Sequence, residues 1–407
     1  LVVNIGHGVS GIAEVMASQA ARVAFAHGTQ FTSEPLEAYA AALRDVVPLP
    51  DPRVYLVSGG SEAVETALKL ARQVCVARGD AGRYKVIARW GSYHGATLGA
   101  LSVSGRPSLR RPYAPLLIDM PHIPPAYCYR CCFGCAEGMR VGQAYPACRV
   151  ACADALEIEI LRQGPETVAA FIAEPVVGAT LAAAVPPAEY WPKVRDICDR
   201  YGVLLIADEV MTGFGRTGRW FAVDHWDVSP DILVSAKGAS GGYFPLGIVL
   251  VRGELVDGLR KGAGDFTHGF THANGVMGAA VGMAVLEHLQ NHGLVAASAC
   301  LGKALLHKLK TLCDLQAVGD VRGLGLMAGV ELVADKKSQE PYARDELIAE
   351  RVQAAALARG VNIYCCTGLV DGVDGDAILL GPPFIVTDQQ LDEIVAVLRE
   401  AIAEVTG

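Results

Sequence analysis

The stretch 203–247 constrains this chain more than any other. A run of branched apolar residues ends abruptly in Asp208-Glu209. That pattern fits a strand buried on both faces with carboxylates at its C-terminal tip. A second apolar run, 231–235, ends just as abruptly in Ala236-Lys237-Gly238. Two buried strands thus carry an acid and an amine to the same edge of one sheet, the edge where open α/β sheets bind ligands. Taken singly, an Asp at a strand end and a Lys in a loop are ordinary solvated groups. The Gly-rich run Gly213-Phe214-Gly215-Arg216-Thr217-Gly218 between them argues for a shared purpose.

An amine and a carboxylate so placed suit pyridoxal phosphate (PLP). The lysine can form a Schiff base with the cofactor aldehyde, and the carboxylate can keep the pyridine nitrogen protonated. An apolar strand, D-E-V, G-F-G-R-T-G and a following lysine together resemble the core of the class III aminotransferases, a branch of the fold-type-I PLP enzymes. The resemblance covers essentially the whole chain. It implies an α/β fold: a large domain with a central, mostly parallel sheet, and a smaller α/β domain formed by both chain ends. The expected division is 1–49 and 286–407 for the small domain and 50–285 for the PLP-binding domain.

The local pattern agrees with alternating strands and helices. Strands are expected at 54–57, 86–88, 168–173, 203–206 and 231–235, with an antiparallel return at 247–251. Helices are expected within 10–46 and over 62–78, 188–201, 276–312 and 387–405. Residues 105–150 read as irregular. A strand pair across 321–332 and strands at 360–364 and 377–380 complete the reading.

The site residues follow from short motifs. Ser58-Gly59-Gly60-Ser61-Glu62-Ala63 lies between a strand and a helix, where small residues and free helix N–H groups favour an anion. By itself this is equally a plain N-cap. The resemblance implies that Gly60 and Ser61 bind the cofactor phosphate. It places Tyr93 on one face of the pyridine ring, with His94 beside it in a role that is as readily structural, and Val210 on the opposite face. Glu174, in E-P-V-V-G, is implied in the site near substrate, where it can neutralise a guanidinium. Asp208 is assigned to the pyridine nitrogen and Lys237 to the Schiff base. Once released, that amine is the base that moves a proton, which requires it to be neutral at working pH. Met211 departs from the family, many of whose members have Gln there, and a thioether cannot donate a hydrogen bond. Thr271, in Gly269-Phe270-Thr271-His272, is implied to donate to the phosphate of a neighbouring subunit, so a homodimer with shared sites is expected.

Two further positions are informative by what they lack. Relatives acting on α-amino acids carry Arg where this chain has Leu379, and amine–pyruvate enzymes carry a mobile Arg where it has Gly372. The expectation is a substrate without an ordinary α-carboxylate, or another Arg in that service.

Composition excludes some classes. A formal charge of −8 over 407 residues leaves no basic footprint for nucleic acid. No uncharged apolar span is long enough for a membrane helix. Leu1-Val2-Val3 lacks a basic start and a cleavage site, so no signal peptide is expected, and relatives carry a segment ahead of the stretch matching Asn4-Ile5-Gly6-His7-Gly8. Twelve scattered cysteines favour reduced thiols and a cytoplasmic setting. The cluster Cys128, Cys131, Cys132, Cys135, Cys148 and Cys152 partly fits zinc spacing, but its halves do not repeat a clean pair. A structural insert is preferred, and no metal is assigned. The function expected is transfer of an amino group from an amine or ω-amino donor to a keto acid or aldehyde by a ping-pong route. A PLP-dependent racemase, aminomutase or decarboxylase is the alternative, and a non-catalytic zinc module a remote one.

Overall fold

The computed structural model describes residues 1–133 and 148–407. Cys135, part of the cysteine cluster, lies outside the described residues. Seven strands form the principal sheet: β1 (Arg53–Val57), β2 (Lys85–Arg89), β3 (His122–Ile123), β4 (Val168–Ala173), β5 (Leu204–Asp208), β6 (Ile232–Ser235) and β7 (Gly247–Val251). Their spatial order is β1-β7-β6-β5-β4-β2-β3. The strands from β6 to β3 run parallel, while β7 is antiparallel to both β6 and β1. β4, β5, β6 and β7 are buried at every position. That explains their near-continuous Val, Ile, Leu and Ala composition, since helices cover both faces of a parallel sheet. Apolar residues above and below the strands form separate packed clusters, with Ile206 and Val234 on one face and Leu205 and Phe171 on the other.

A second sheet holds β8 (Val318–Leu324), β9 (Met327–Leu332), β10 (Tyr364–Thr367) and β11 (Asp376–Leu380), in the order β10-β11-β9-β8 and antiparallel throughout. Three local readings of the sequence need correction. The stretch 105–150, read as irregular, supplies β3, which pairs in parallel with the end of β2. The helix expected over 276–312 is two helices, Val276–Asn291 and Leu294–Leu309, broken at Gly293 with φ +60°. The strand expected at 360–364 begins only at Tyr364. Gly360 turns with φ +86°, and the Ile363 carbonyl accepts from Gln353 Nε2 at 2.7 Å rather than from a neighbouring strand. Among the described residues no helix is long and apolar enough to cross a membrane.

Candidate active site

The register of the central strands sets the chemistry. Asp208, the last residue of β5, lies opposite Val234 of β6, and the chain reaches Lys237 just beyond that strand. Both side chains line one cavity of about 450 Å³ at the C-terminal edge of the sheet. Lys237 has φ +41°, a left-handed backbone that a non-glycine residue holds only when its surroundings impose it. Here Asn4 Nδ2 donates to the carbonyls of Phe214 (3.2 Å) and Gly238 (3.1 Å), tying the Lys237 turn to the Gly-rich loop.

Asp208 is buried, and each of its carboxylate oxygens has a partner. Oδ1 accepts the Val210 N–H at 3.0 Å, and Oδ2 meets His94 Nδ1 at 2.6 Å. Sequence motifs left the role of His94 open; its placement makes it the group that orients Asp208, with the Nδ1–H form donating. Burial pushes the Lys237 amine below its ordinary value, against the opposing pull of Asp208 and Glu174. Among the described residues no side chain hydrogen-bonds that amine. Glu174, one residue past β4, is buried, and burial pushes its carboxyl up to about 7. Its Oε2 has no hydrogen-bond partner. No guanidinium pairs with its carboxylate among the described residues; Arg89 Nη2 donates instead to its backbone carbonyl at 2.5 Å.

Gly60 and Ser61 open the helix Gly60–Ala77 on the opposite side of the cavity. A Cβ at Gly60 would stand 3.0 Å from Val210 Cγ1, so the bare glycine lets the helix start pass closely over that side chain. Ser61 Oγ accepts the Ala96 N–H at 3.0 Å. Tyr93, Val210 and Met211 also line the cavity. Met211 lies against Gly178, where an added Cβ would come 2.3 Å from its sulfur. Thr271 is not brought to this cavity within the chain and is exposed. Leu379 is buried in β11, and Gly372 carries no side chain, so neither position contributes a cation. Among the described residues no group of three or more His, Cys, Asp or Glu is arranged to hold a metal.

The donor set fits PLP on this structure's own evidence. It combines a half-buried amine without a side-chain hydrogen-bond partner, a doubly anchored carboxylate, an unpartnered Glu174 oxygen and the first turn of an eighteen-residue helix, all around one cavity. Motifs did not disclose Ser240, Phe244 and Ala179 in the lining, nor Glu209 behind it. Glu209 is buried, accepts the Val223 N–H at 2.9 Å and bonds Thr212 Oγ1. Its place in D-E-V was visible, but its partners, Thr212 and Val223, lie on either side of the Gly-rich run.

Comparison with known proteins agrees with this geometry. The family model described as "Aminotransferase class-III" matches residues 1–402. An uncharacterized aminotransferase of Bacillus subtilis, YodT, is 37% identical over 403 residues, covering 99% of this chain and 89% of its own length. The solved structure of a thermostable (S)-enantioselective omega-transaminase from Thermomicrobium roseum superposes with a TM-score of 0.91 at 38% identity, covering 100% of this chain and 87% of that one. An amine transaminase from an uncultivated Pseudomonas species, solved in a PLP-bound form, gives a TM-score of 0.90 at 34% identity over 99% of this chain and 88% of that one.

Proposed function

Because this chain belongs to the class-III aminotransferase family and is a PLP-dependent aminotransferase, we propose that it moves an amino group from an amine or ω-amino donor to an oxo acid or aldehyde, with Lys237 as the catalytic amine. The observation that carries the assignment is the shared cavity: the Lys237 amine and the Asp208 carboxylate line it from neighbouring strand ends, facing the start of the helix Gly60–Ala77. When bound, PLP supplies an electron sink for the pair left behind as a proton leaves the carbon bearing the substrate nitrogen.

The chain's own residues do the rest. Lys237, its basicity reduced by burial, takes that proton and returns it, a task that needs a neutral amine near working pH. Asp208 holds a proton at the ring nitrogen, and His94 keeps the carboxylate aimed. Tyr93 and Val210 supply apolar surface on opposite sides of a flat ring. Gly60 and Ser61 offer backbone N–H groups at a helix start to a phosphate. Glu174 lies close enough to Lys237 and Asp208 to couple with both, and can exchange a proton near neutrality. Thr271, exposed and away from its own chain's cavity, is assigned to the phosphate of a second copy, which makes a homodimer the working unit. A reducing cytoplasm is the compartment proposed, on the free thiols of the described cysteines.

The test starts from borohydride reduction. Wild-type protein should be yellow, bleach on reduction and carry the label on the peptide containing Lys237, while Lys237→Ala should not. A donor screen on the same preparation should show double-displacement kinetics between an amine and a carbonyl acceptor. Turnover of one substrate with no acceptor would instead favour a racemase, aminomutase or decarboxylase.

A further inference from the structure

Beside the cofactor cavity lies a larger one of about 940 Å³, which shares Val2, Tyr93, Ala179, Met211 and Lys237 with it. The two therefore adjoin, and Lys237 lines both. Its lining is mostly apolar and contains one guanidinium, that of Arg106.

Arg106 is mounted on a stiff support. The Gly91 N–H donates to the Gly105 carbonyl at 2.9 Å, and the Gly105 N–H donates to the Ser92 carbonyl and hydroxyl at 3.0 and 3.1 Å. The His94 N–H donates to Ser104 Oγ at 2.8 Å. Gly105 must be glycine here, because a Cβ would stand 2.0 Å from the Arg89 carbonyl oxygen. The turn that carries Tyr93 and the segment that carries Arg106 are thus stitched into one piece. From the other side, Arg106 Nη2 donates to the carbonyl (3.3 Å) and hydroxyl (3.2 Å) of Thr367, at the end of β10. Both bonds use the same nitrogen, so Nε and Nη1 keep their N–H donors. Among the described residues no carboxylate pairs with Arg106.

The loop after β10 closes over this point. A Cβ at Gly372 would stand 2.7 Å from Pro107 Cγ, and Gly372 has φ +88°, so a side chain on this loop is disfavoured where it packs beside Arg106. A half-buried, positioned and unpaired guanidinium in an apolar cavity is a receptor for an anion of matching planar shape.

We infer that Arg106 binds the carboxylate of an oxo acid or ω-amino acid substrate, in place of the arginines absent at Leu379 and Gly372. The inference rests on the aminotransferase reading of the Lys237 cavity. It makes the acid partner of the exchange a substrate whose charge is read from the Tyr93 side of the cavity.

The experiment uses the PLP-loaded enzyme and matched acceptors that differ in charge: pyruvate against propanal, and 4-oxobutanoate against butanal. Arg106→Gln should raise KM for at least one of the two acids by about tenfold to a hundredfold, the usual worth of a charged hydrogen bond. It should leave both aldehydes, and the half-reaction with benzylamine, which carries no carboxylate, within about twofold. Arg106→Lys, which keeps the charge and loses the fork, should recover part of the affinity for acids. Unchanged KM for both acids, or equal losses for acids and aldehydes, would overturn the inference. If Arg106→Gln fails to retain PLP, Arg106→Lys decides: a selective rise in KM for an acid supports the assignment, and an unchanged value overturns it. Failure of every amine to react with the wild-type enzyme would count against amino transfer itself, a separate result.

Discussion

Asp208 engages both carboxylate oxygens with partners at the sheet edge, whereas Arg106 engages a single nitrogen and leaves its other donors without a partner among the described residues. The first belongs to a wall built from strand ends, whose positions follow from the hydrogen-bonded register of β5 and β6. The second belongs to a wall built from loops, where the tip of β10 meets the segment after Gly105. Groups whose aim is fixed in advance by partners on each atom suit a constant task, such as holding a cofactor. A group with donors to spare suits a partner that comes and goes. The chain thus separates a fixed end of the cavity from an adaptable one.

The largest effect expected lies at the fixed end. Lys237→Ala should lower single-turnover amino transfer by about a thousandfold or more, measured by the change in cofactor absorbance on adding amine. Asp208→Asn should lower the same rate by about a hundredfold while leaving KM ratios between acid and aldehyde acceptors unchanged. A change in that ratio would dissolve the separation between the two walls.

A third outcome concerns stability. Burial raises the Glu174 carboxyl from 4.5 to about 7, so between those values the folded chain keeps a proton that the unfolded chain has released. Glu174 therefore supports the fold fully below about 4.5, and that support is lost as pH rises to about 7. Glu209, also raised to about 7 by burial, acts in the same direction. In PLP-free protein, urea midpoints should fall across this window. Glu174→Gln should flatten the fall in part, with the share of Glu209 remaining. The smallest effect is at the adaptable end. Thr367→Val should remove one of the two bonds that position Arg106, keeping the one to the backbone carbonyl, and raise KM for an acid acceptor about threefold, with Lys237 chemistry intact.

The same contrast explains what could be read before folding. β4 and β7 were legible residue for residue, because a strand buried on both faces is an unbroken apolar run bounded by polar groups. Lys237 and Asp208 were legible for the same reason, since each ends such a run. The His94–Asp208 bond was not. It joins residues 114 apart, and no local period encodes a contact across that separation. The placement of Arg106 was not legible either, because it depends on Thr367, 261 positions away, and on a glycine that excludes side chains. The break at Gly293 and the late start of β10 escaped because apolar spacing continues through both, while positive φ at Gly293 and Gly360 interrupts the backbone.

The Asn4 amide that bridges Phe214 and Gly238 has a consequence for how the enzyme is made. During synthesis the segment around Asn4 emerges before Phe214 and Gly238, so the bridge between them cannot close until the chain has grown past Gly238. Until then the turn that carries Lys237 lacks its clasp. The clasp therefore closes only when two stretches of the nascent polypeptide made 234 positions apart meet.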